Sequence, residues 1–405
     1  MVPLLWVGLL AGSLGAGAAL AGVLVVRRSQ EPLVLLAGVA SIALSTLCAT
    51  RLAAFYDSPL PTALAGLIAL AAVGGGFALV SALLAYLYPA PRTPGVGTPS
   101  FPGQALAILL ADTESEEYAP ADVTREIAEL VDAGLPEPTI AITPFHYAAQ
   151  KARYRSIGGR SSEPAGAKAL AERLEARLDP RDIAGPIVVS AAEPGALARV
   201  VSDAAAAGYR HVAIAVTSIA EGFHSTQQRA ALDSQRTSAG MTVSWTRPLW
   251  TSDRLATCVA TRTLAVRSDP IRTGVALVVH GQPGHQERSN QAFDVQESAF
   301  ANRVRTLICE DGIDPEHVRV CAAEWRDPGV TETVRHLATL GCERIIVSPV
   351  CHPFANLQTL IDIPMAARDA RTDDNVTLVH VPPWGDQDPF AEVLAAELAA
   401  AARTV

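Results

Sequence analysis

A chain of 405 residues with a formal net charge of -9, 18% charged side chains and no basic stripe is not built to hold nucleic acid. Its mean hydropathy of +0.24 is high for a soluble protein, so its apolar residues must be concentrated in part of the chain.

They are concentrated before residue 90. Met1 to Val26 carries no charge and ends at Arg27 and Arg28, Leu33 to Thr50 is closed by Arg51, and Leu60 to Tyr88 ends in Tyr86 and Tyr88. Each run has roughly the eighteen apolar residues needed to cross a bilayer. The expectation is a transmembrane region over 1–88, with helices over about 3–26, 33–50 and 60–88. A cleaved signal peptide would carry its positive charge before a short apolar core, whereas here the arginines follow a long one. Positive charge between the first two helices places that loop, and everything after the third helix, in the cytoplasm of a cell carrying a multi-pass protein in its inner or plasma membrane.

Residues 89–103 hold five prolines without periodicity and read as a stiff linker. From Gln104 the chain alternates apolar runs with amphipathic segments. Strands are expected at Ala105–Ala111, Thr139–Ile142, Pro186–Ser190, His211–Thr217, Met241–Trp245, Gly274–His280, His317–Ala323, Arg344–Pro349 and Val376–Val381. Helices are expected at Asp122–Ala133, Gly166–Leu178, Gly195–Ala207, Asn290–Glu310 and Thr331–Leu340. This βαβ alternation implies α/β architecture with parallel sheets, and its length suits two Rossmann-like halves, 104–265 and 266–405. A short internal echo agrees: Gly208-Tyr-Arg-His-Val-Ala-Ile-Ala-Val resembles Gly341-Cys-Glu-Arg-Ile-Ile-Val-Ser-Pro.

The six cysteines include no C-x-x-C pair, and those beyond the membrane region read as buried thiols in a reducing compartment. A cluster of Cys321, Cys342 and Cys351 stays open if the strands ending at Cys321 and Cys351 are neighbours, but nothing in the spacing supports an iron–sulfur cluster.

Two stretches carry chemistry. Val275-Ala-Leu-Val-Val-His-Gly-Gln-Pro is a buried parallel strand that delivers His280 to its carboxyl end, the edge where open α/β sheets bind ligands. Lys151-Ala-Arg-Tyr-Arg-Ser-Ile-Gly-Gly-Arg reads as a surface lip for a flat acidic ligand, with Tyr154 and Ile157 as its face and arginines for peripheral carboxylates.

These residues resemble the ferrochelatases. Tyr154-Arg-Ser-Ile-Gly-Gly-Arg-Ser-Ser is similar to their Y-x-x-I-G-G-x-S-P motif, and Val278-Val-His-Gly-Gln-Pro to their S-A-H-[GS]-L-P segment. Looser similarities lie at Glu193-Pro, at Phe223-His-Ser-Thr-Gln-Gln and at Pro349-Val-Cys-His-Pro-Phe-Ala-Asn-Leu-Gln-Thr-Leu. The resemblance covers about Ala105 to Ala400 and implies chelatase-type halves that insert ferrous iron, as substrate, into a porphyrin, with no organic cofactor. It implies His280 as proton acceptor or metal ligand, Gln358 at a catalytic position, and Tyr154, Arg155, Ile157, Gly158, Ser161 and His224 at the substrate. His352 and Asp362 join His280 as candidate metal ligands, and Glu221, Glu297 and Glu324 are further polar groups expected near the cleft.

The sequence departs from the family pattern in places. A family glutamate is replaced by Gln358, and the acidic ladder that follows at intervals of four is reduced to Asp362, with Ala366 beyond it. Asp112-Thr-Glu-Ser stands where the first strand's loop has a glycine, Ala191 or Ala192 replaces a histidine, and the loop after Trp325 is short. The expectation is therefore a membrane-tethered ferrochelatase-like enzyme. The alternatives are a membrane-bound porphyrin or haem-binding paralogue and a chelatase for another divalent metal.

Overall fold

The computed structural model describes residues 2–26, 30–56, 59–87, 95–111, 114–132, 143–193, 195–235, 241–282, 290–370 and 375–403. The expected strand at Thr139–Ile142, the arginines at 27 and 28, the first part of the linker and Asp112 lie outside these residues. The chain divides into two compact units, Met1–Ala90 with Glu117–Arg160, and Pro91–Glu116 with Ser161–Val405.

The first unit contains α1 (Val2–Val25), α2 (Glu31–Phe55), α3 (Pro59–Leu87), α4 (Pro120–Asp132) and α5 (Thr143–Ser156). Three of its helices are long and apolar enough to cross a membrane, as the uncharged runs imply. Close backbone approach holds them together: a Cβ added to Gly17 of α1 would collide with the Val73 carbonyl of α3, and one added to Gly76 with the Leu14 carbonyl. Ser13 and Ser45 share a hydrogen bond of 2.8 Å between α1 and α2. Helix α5 is tied to the ends of this bundle. Buried Lys151 pairs with Glu31 at 2.6 Å and donates to the Val23 carbonyl at 2.8 Å, while the Tyr118 hydroxyl donates to the Val25 carbonyl at 2.8 Å. Both carbonyls belong to the last turn of α1, which lacks intrahelical donors, so these groups act as a C-terminal cap.

The second unit holds two parallel four-stranded sheets. The first is built from β1 (Ala105–Ala111), β2 (Ile183–Ser190), β3 (His211–Val216) and β4 (Thr242–Trp245), interleaved with α6 (Glu163–Glu175), α7 (Ala196–Ala207) and α8 (Phe223–Gln235), and is followed by α9 (Asp253–Leu264). The second comprises β5 (Thr273–Val279), β6 (Val318–Ala322), β7 (Arg344–Pro349) and β8 (Thr377–His380), with α10 (Ala292–Glu310), α11 (Val330–Thr339), a π-turn at Gln358–Asp362, α12 (Ile363–Arg368) and, last, α13 (Asp388–Ala402). The strand orders are β2-β1-β3-β4 and β6-β5-β7-β8, so the halves share one topology and the internal echo in sequence is structural. Strands β1 and β5 are central and wholly buried, which is why both read as unbroken apolar runs.

The two sheets are separated between Trp245 and Thr273, but their covering helices cross over. From the first half, α9 reaches β7 through a hydrogen bond of 2.8 Å between Thr263 and Ser348. From the second, α13 places Phe390, Leu394 and Leu398 in one core with Ala213 and Ala215 of β3. Arg247–Glu397 and Arg177–Asp388 bind its rim, the second at 2.8 Å. Phe390 is fully buried against Trp384 at 4.9 Å between ring centroids. Phe390→Ala is expected to cost about 3–5 kcal/mol, read as a lower denaturation midpoint for the first-half sheet as well as the second.

Candidate functional site

Parallel pairing of β5 with β7 sets the register Val278↔Pro349, and the Val350 amide donates to the Val278 carbonyl at 3.0 Å. The residues just past both strands are therefore brought side by side. In each sheet the strand order reverses between the first and third strands, and such a switch point opens a crevice at the carboxyl ends. His280 leaves β5 and His352 leaves the end of β7 at that crevice, their rings stacked with centroids 5.4 Å apart and an interplanar angle of 23°.

The two imidazoles are held differently. His280 is exposed, and its Nδ1–H donates to the Gly281 carbonyl at 2.7 Å, which leaves the Nε2 lone pair available. His352 is 4% exposed; its Nε2–H donates to Gln358 Oε1 at 2.6 Å. Its Nδ1 is buried and has no hydrogen-bond partner among the described residues. Burial, and then the charge of His280, push the His352 pKa down to about 3 against the weaker opposing hydrogen bond from Gln358. His352 is thus a neutral imidazole with an unused acceptor nitrogen.

The first turns of α10 organise the rest. Buried Glu297 accepts the backbone N–H groups of His280 at 3.2 Å and Gly281 at 3.0 Å, and burial raises its pKa although His280 and these donors oppose the shift. The Cys351 thiol donates to the same carboxylate and has its own pKa raised by burial and by Glu297. Phe293 meets His280 edge-on at 6.4 Å, and Asp294 accepts from Gln282 at 3.2 Å and pairs with Arg326. Gly281 has φ +82°, and a Cβ there would collide with the Glu324 carbonyl, so both the conformation and the close approach require glycine after His280.

Of the other expected residues, some are placed otherwise. Lys151 to Ser156 is helical rather than a lip loop, and Tyr154 is buried edge-on against Tyr118 at 6.2 Å instead of presenting a flat face. The physical reason is that Ile157-Gly158-Gly159 is the helix stop: the Gly159 amide returns to the Tyr154 carbonyl at 2.7 Å, with both glycines at positive φ. Arg155 pairs with Glu31. Ser161 is buried and donates to Glu114. His224 lies in the first turn of α8, edge-on to Phe223 at 5.6 Å, and Glu221 pairs with Arg229 at 2.9 Å. Gln358 and Asp362 open and close a π-turn, not an ordinary helical turn; Gln358 is buried on His352 and Asp362 is half-exposed at the far end. Cys321 and Cys351 are not on neighbouring strands, because β5 separates β6 from β7. Among the described residues no three His, Cys, Asp or Glu side chains converge as a metal cluster. Glu114, which carries no motif, accepts the Leu357 backbone N–H at 3.0 Å.

The ferrochelatase family model matches residues 127–402. The chain belongs to the ferrochelatase family. No curated protein sequence matches it. Similar solved structures include SirB from Bacillus subtilis with Fe3+, at 12% identity and TM-score 0.44, with 74% of this chain and 96% of that one covered. Another is the sirohydrochlorin chelatase SirB from Bacillus subtilis subspecies spizizenii in complex with cobalt, at 13% identity and TM-score 0.40, with the same shares covered, 74% and 96%. The match to the ferrochelatase family begins inside α4, so it runs through part of the unit that contains the membrane-length helices.

Buried His352 of this ferrochelatase-family chain carries a pH signature. A pKa lowered from 6.5 to about 3 means that the unfolded chain binds a proton in this interval and the folded chain does not. The resulting stability is complete above pH 6.5 and is lost as pH falls toward 3, at most about 5 kcal/mol in all. The thermal midpoint of wild type is expected to fall more steeply over this range than that of His352→Gln.

Proposed function

We propose that this ferrochelatase-family chain inserts a divalent metal, ferrous iron foremost, into a porphyrin at the His280–His352 edge, a step of haem formation. The carrying observation is the histidine pair, which offers one exposed lone pair on His280 and one unfilled buried lone pair on His352. Neutral imidazole nitrogen is both a good ligand for such metals and a base near neutral pH. Insertion exchanges two pyrrole N–H protons for one divalent cation without redox change. His280 Nε2 is assigned to the leaving protons or to the incoming metal, and His352 Nδ1 to the metal. Phe293 beside His280 offers apolar contact to a flat macrocycle. Family position, and not proximity, nominates Arg155, Ile157, Gly158 and Ser161 for the substrate.

A second reading, a membrane-bound porphyrin or haem-binding paralogue, is favoured by Gln358, which cannot take up a proton near neutral pH where the family keeps a carboxylate. A third is insertion of another divalent metal. Anaerobic incubation of the full chain in detergent with ferrous iron or cobalt, and with protoporphyrin or coproporphyrin, separates them by visible absorbance. Conversion of the free-base spectrum to that of a metalloporphyrin supports the enzyme. Binding without conversion supports the carrier.

The three helices of membrane length support a multi-pass protein of the cell membrane with its family domain in the cytoplasm. A reporter fused after Val405 is expected to behave as cytoplasmic and one at the N-terminus as external; the reverse result would overturn this orientation.

A further inference from the structure

We propose that Glu114 is a positioning residue for the histidine pair, acting from the opposite sheet through the π-turn. The inference rests on the function proposed above. Glu114 lies three residues past the end of β1, in the loop where the sequence departs from the family glycine. Its Oε1 accepts the Leu357 backbone N–H at 3.0 Å and the Ser161 hydroxyl. Its own amide donates to Glu163 Oε2 at 2.8 Å, and the other oxygen of Glu163 accepts from Asn356 Nδ2 at 3.4 Å. The Ser162 hydroxyl donates to the Ala355 carbonyl at 3.1 Å. Three consecutive residues of the second half, Ala355 to Leu357, are therefore gripped by residues of the first.

The next residue is Gln358. A helix start leaves its first amides without intrahelical acceptors, and a carboxylate is a favoured partner there because it matches the positive end of the helix dipole. Glu114 meets that need for Leu357. The order set at Leu357 passes to Gln358, whose Oε1 accepts from His352 Nε2–H and so keeps the His352 lone pair on Nδ1. Fixing a ligand's tautomer from the shell behind it is a recognised control on metal chemistry. Ser161, nominated from sequence for the substrate, belongs to this grip through its hydroxyl.

The variants Glu114→Ala and Glu114→Gln in the full chain test the proposal with two readouts. The first is the rate of metal insertion at saturating porphyrin. Glu114→Ala is expected to lower it by about 10- to 100-fold with porphyrin KM little changed. Glu114→Gln restores most of the rate, because an amide oxygen accepts the same two hydrogen bonds. The second is the nitrogen-15 chemical shifts of the His352 ring, which report the tautomer whether or not the protein turns over. Wild type and Glu114→Gln are expected to hold the proton on Nε2, and Glu114→Ala to mix the two forms. An unchanged tautomer in Glu114→Ala overturns the inference, as does a Glu114→Gln variant as slow as Glu114→Ala, since charge and not position would then be required. A wild type that inserts no metal while its tautomer still depends on Glu114 overturns the functional reading and leaves the positioning role standing.

Discussion

His280→Ala is expected to lower metal insertion by about 10²- to 10⁴-fold, the span lost when a positioned acid or base is removed. Porphyrin affinity should stay within about tenfold, or 1.4 kcal/mol, because the variant removes one exposed ring and leaves the surrounding apolar contacts. The geometry makes the residue hard to replace. Glu297 fixes its backbone through two amides and the Gly281 carbonyl fixes its Nδ1–H, which leaves Nε2 as its available nitrogen. His352, which stacks on His280, cannot assume the base role, since it is buried and stays neutral down to a pKa of about 3. Steady-state insertion kinetics with fluorescence titration of porphyrin binding checks both halves of the expectation. Equal rates in variant and wild type would remove His280 from the mechanism.

Gln358→Glu is expected to act in the opposite direction. The Gln358 amide oxygen lies 2.6 Å from His352 Nε2 inside a buried turn. A carboxylate in its place would accept a charge-assisted hydrogen bond and stabilise the imidazolium, raising the His352 pKa from about 3 toward neutrality. His352 can then take a proton as well as His280, on the Nδ1 that the metal vacates on entering the macrocycle, and insertion should rise by about 10²- to 10⁴-fold. The near-isosteric side chain keeps the fold, at the cost of desolvating a carboxylate, which its ionic partner offsets. A variant no faster than wild type that still binds porphyrin would favour the carrier reading.

Much of the architecture was legible from particular residues. The run Val275 to Val279 is unbroken because β5 has a neighbour on each edge and cover on each face, so a histidine at its end could be placed at the carboxyl edge of the sheet directly. His352 could be nominated because it also follows a buried strand, though only the β5–β7 pairing brings it to His280. Other features leave weaker traces in sequence. The spacing that marks the other helices does not show that α9 and α13 each cross to a sheet of the other half. A Tyr, two Arg and a Gly-Gly pair look like a lip, yet the glycines are the cap of α5 and the tyrosine is core. The π-turn is a change of hydrogen-bond partner, and intervals of four do not record it. Glu114 was missed because its partner at Leu357 is a backbone amide 243 residues away, which carries no side-chain signature.

Whether His280 and His352 receive a divalent metal is read by anaerobic cobalt titration of the full chain followed by visible absorbance. The full chain is required because Lys151 and Tyr118 take partners from α1 and α2, which a fragment beginning at residue 104 would lose. A saturable cobalt spectrum is expected in wild type, weakening sharply in both His280→Ala and His352→Gln. A cobalt spectrum of equal strength and midpoint in all three proteins would contradict this expectation.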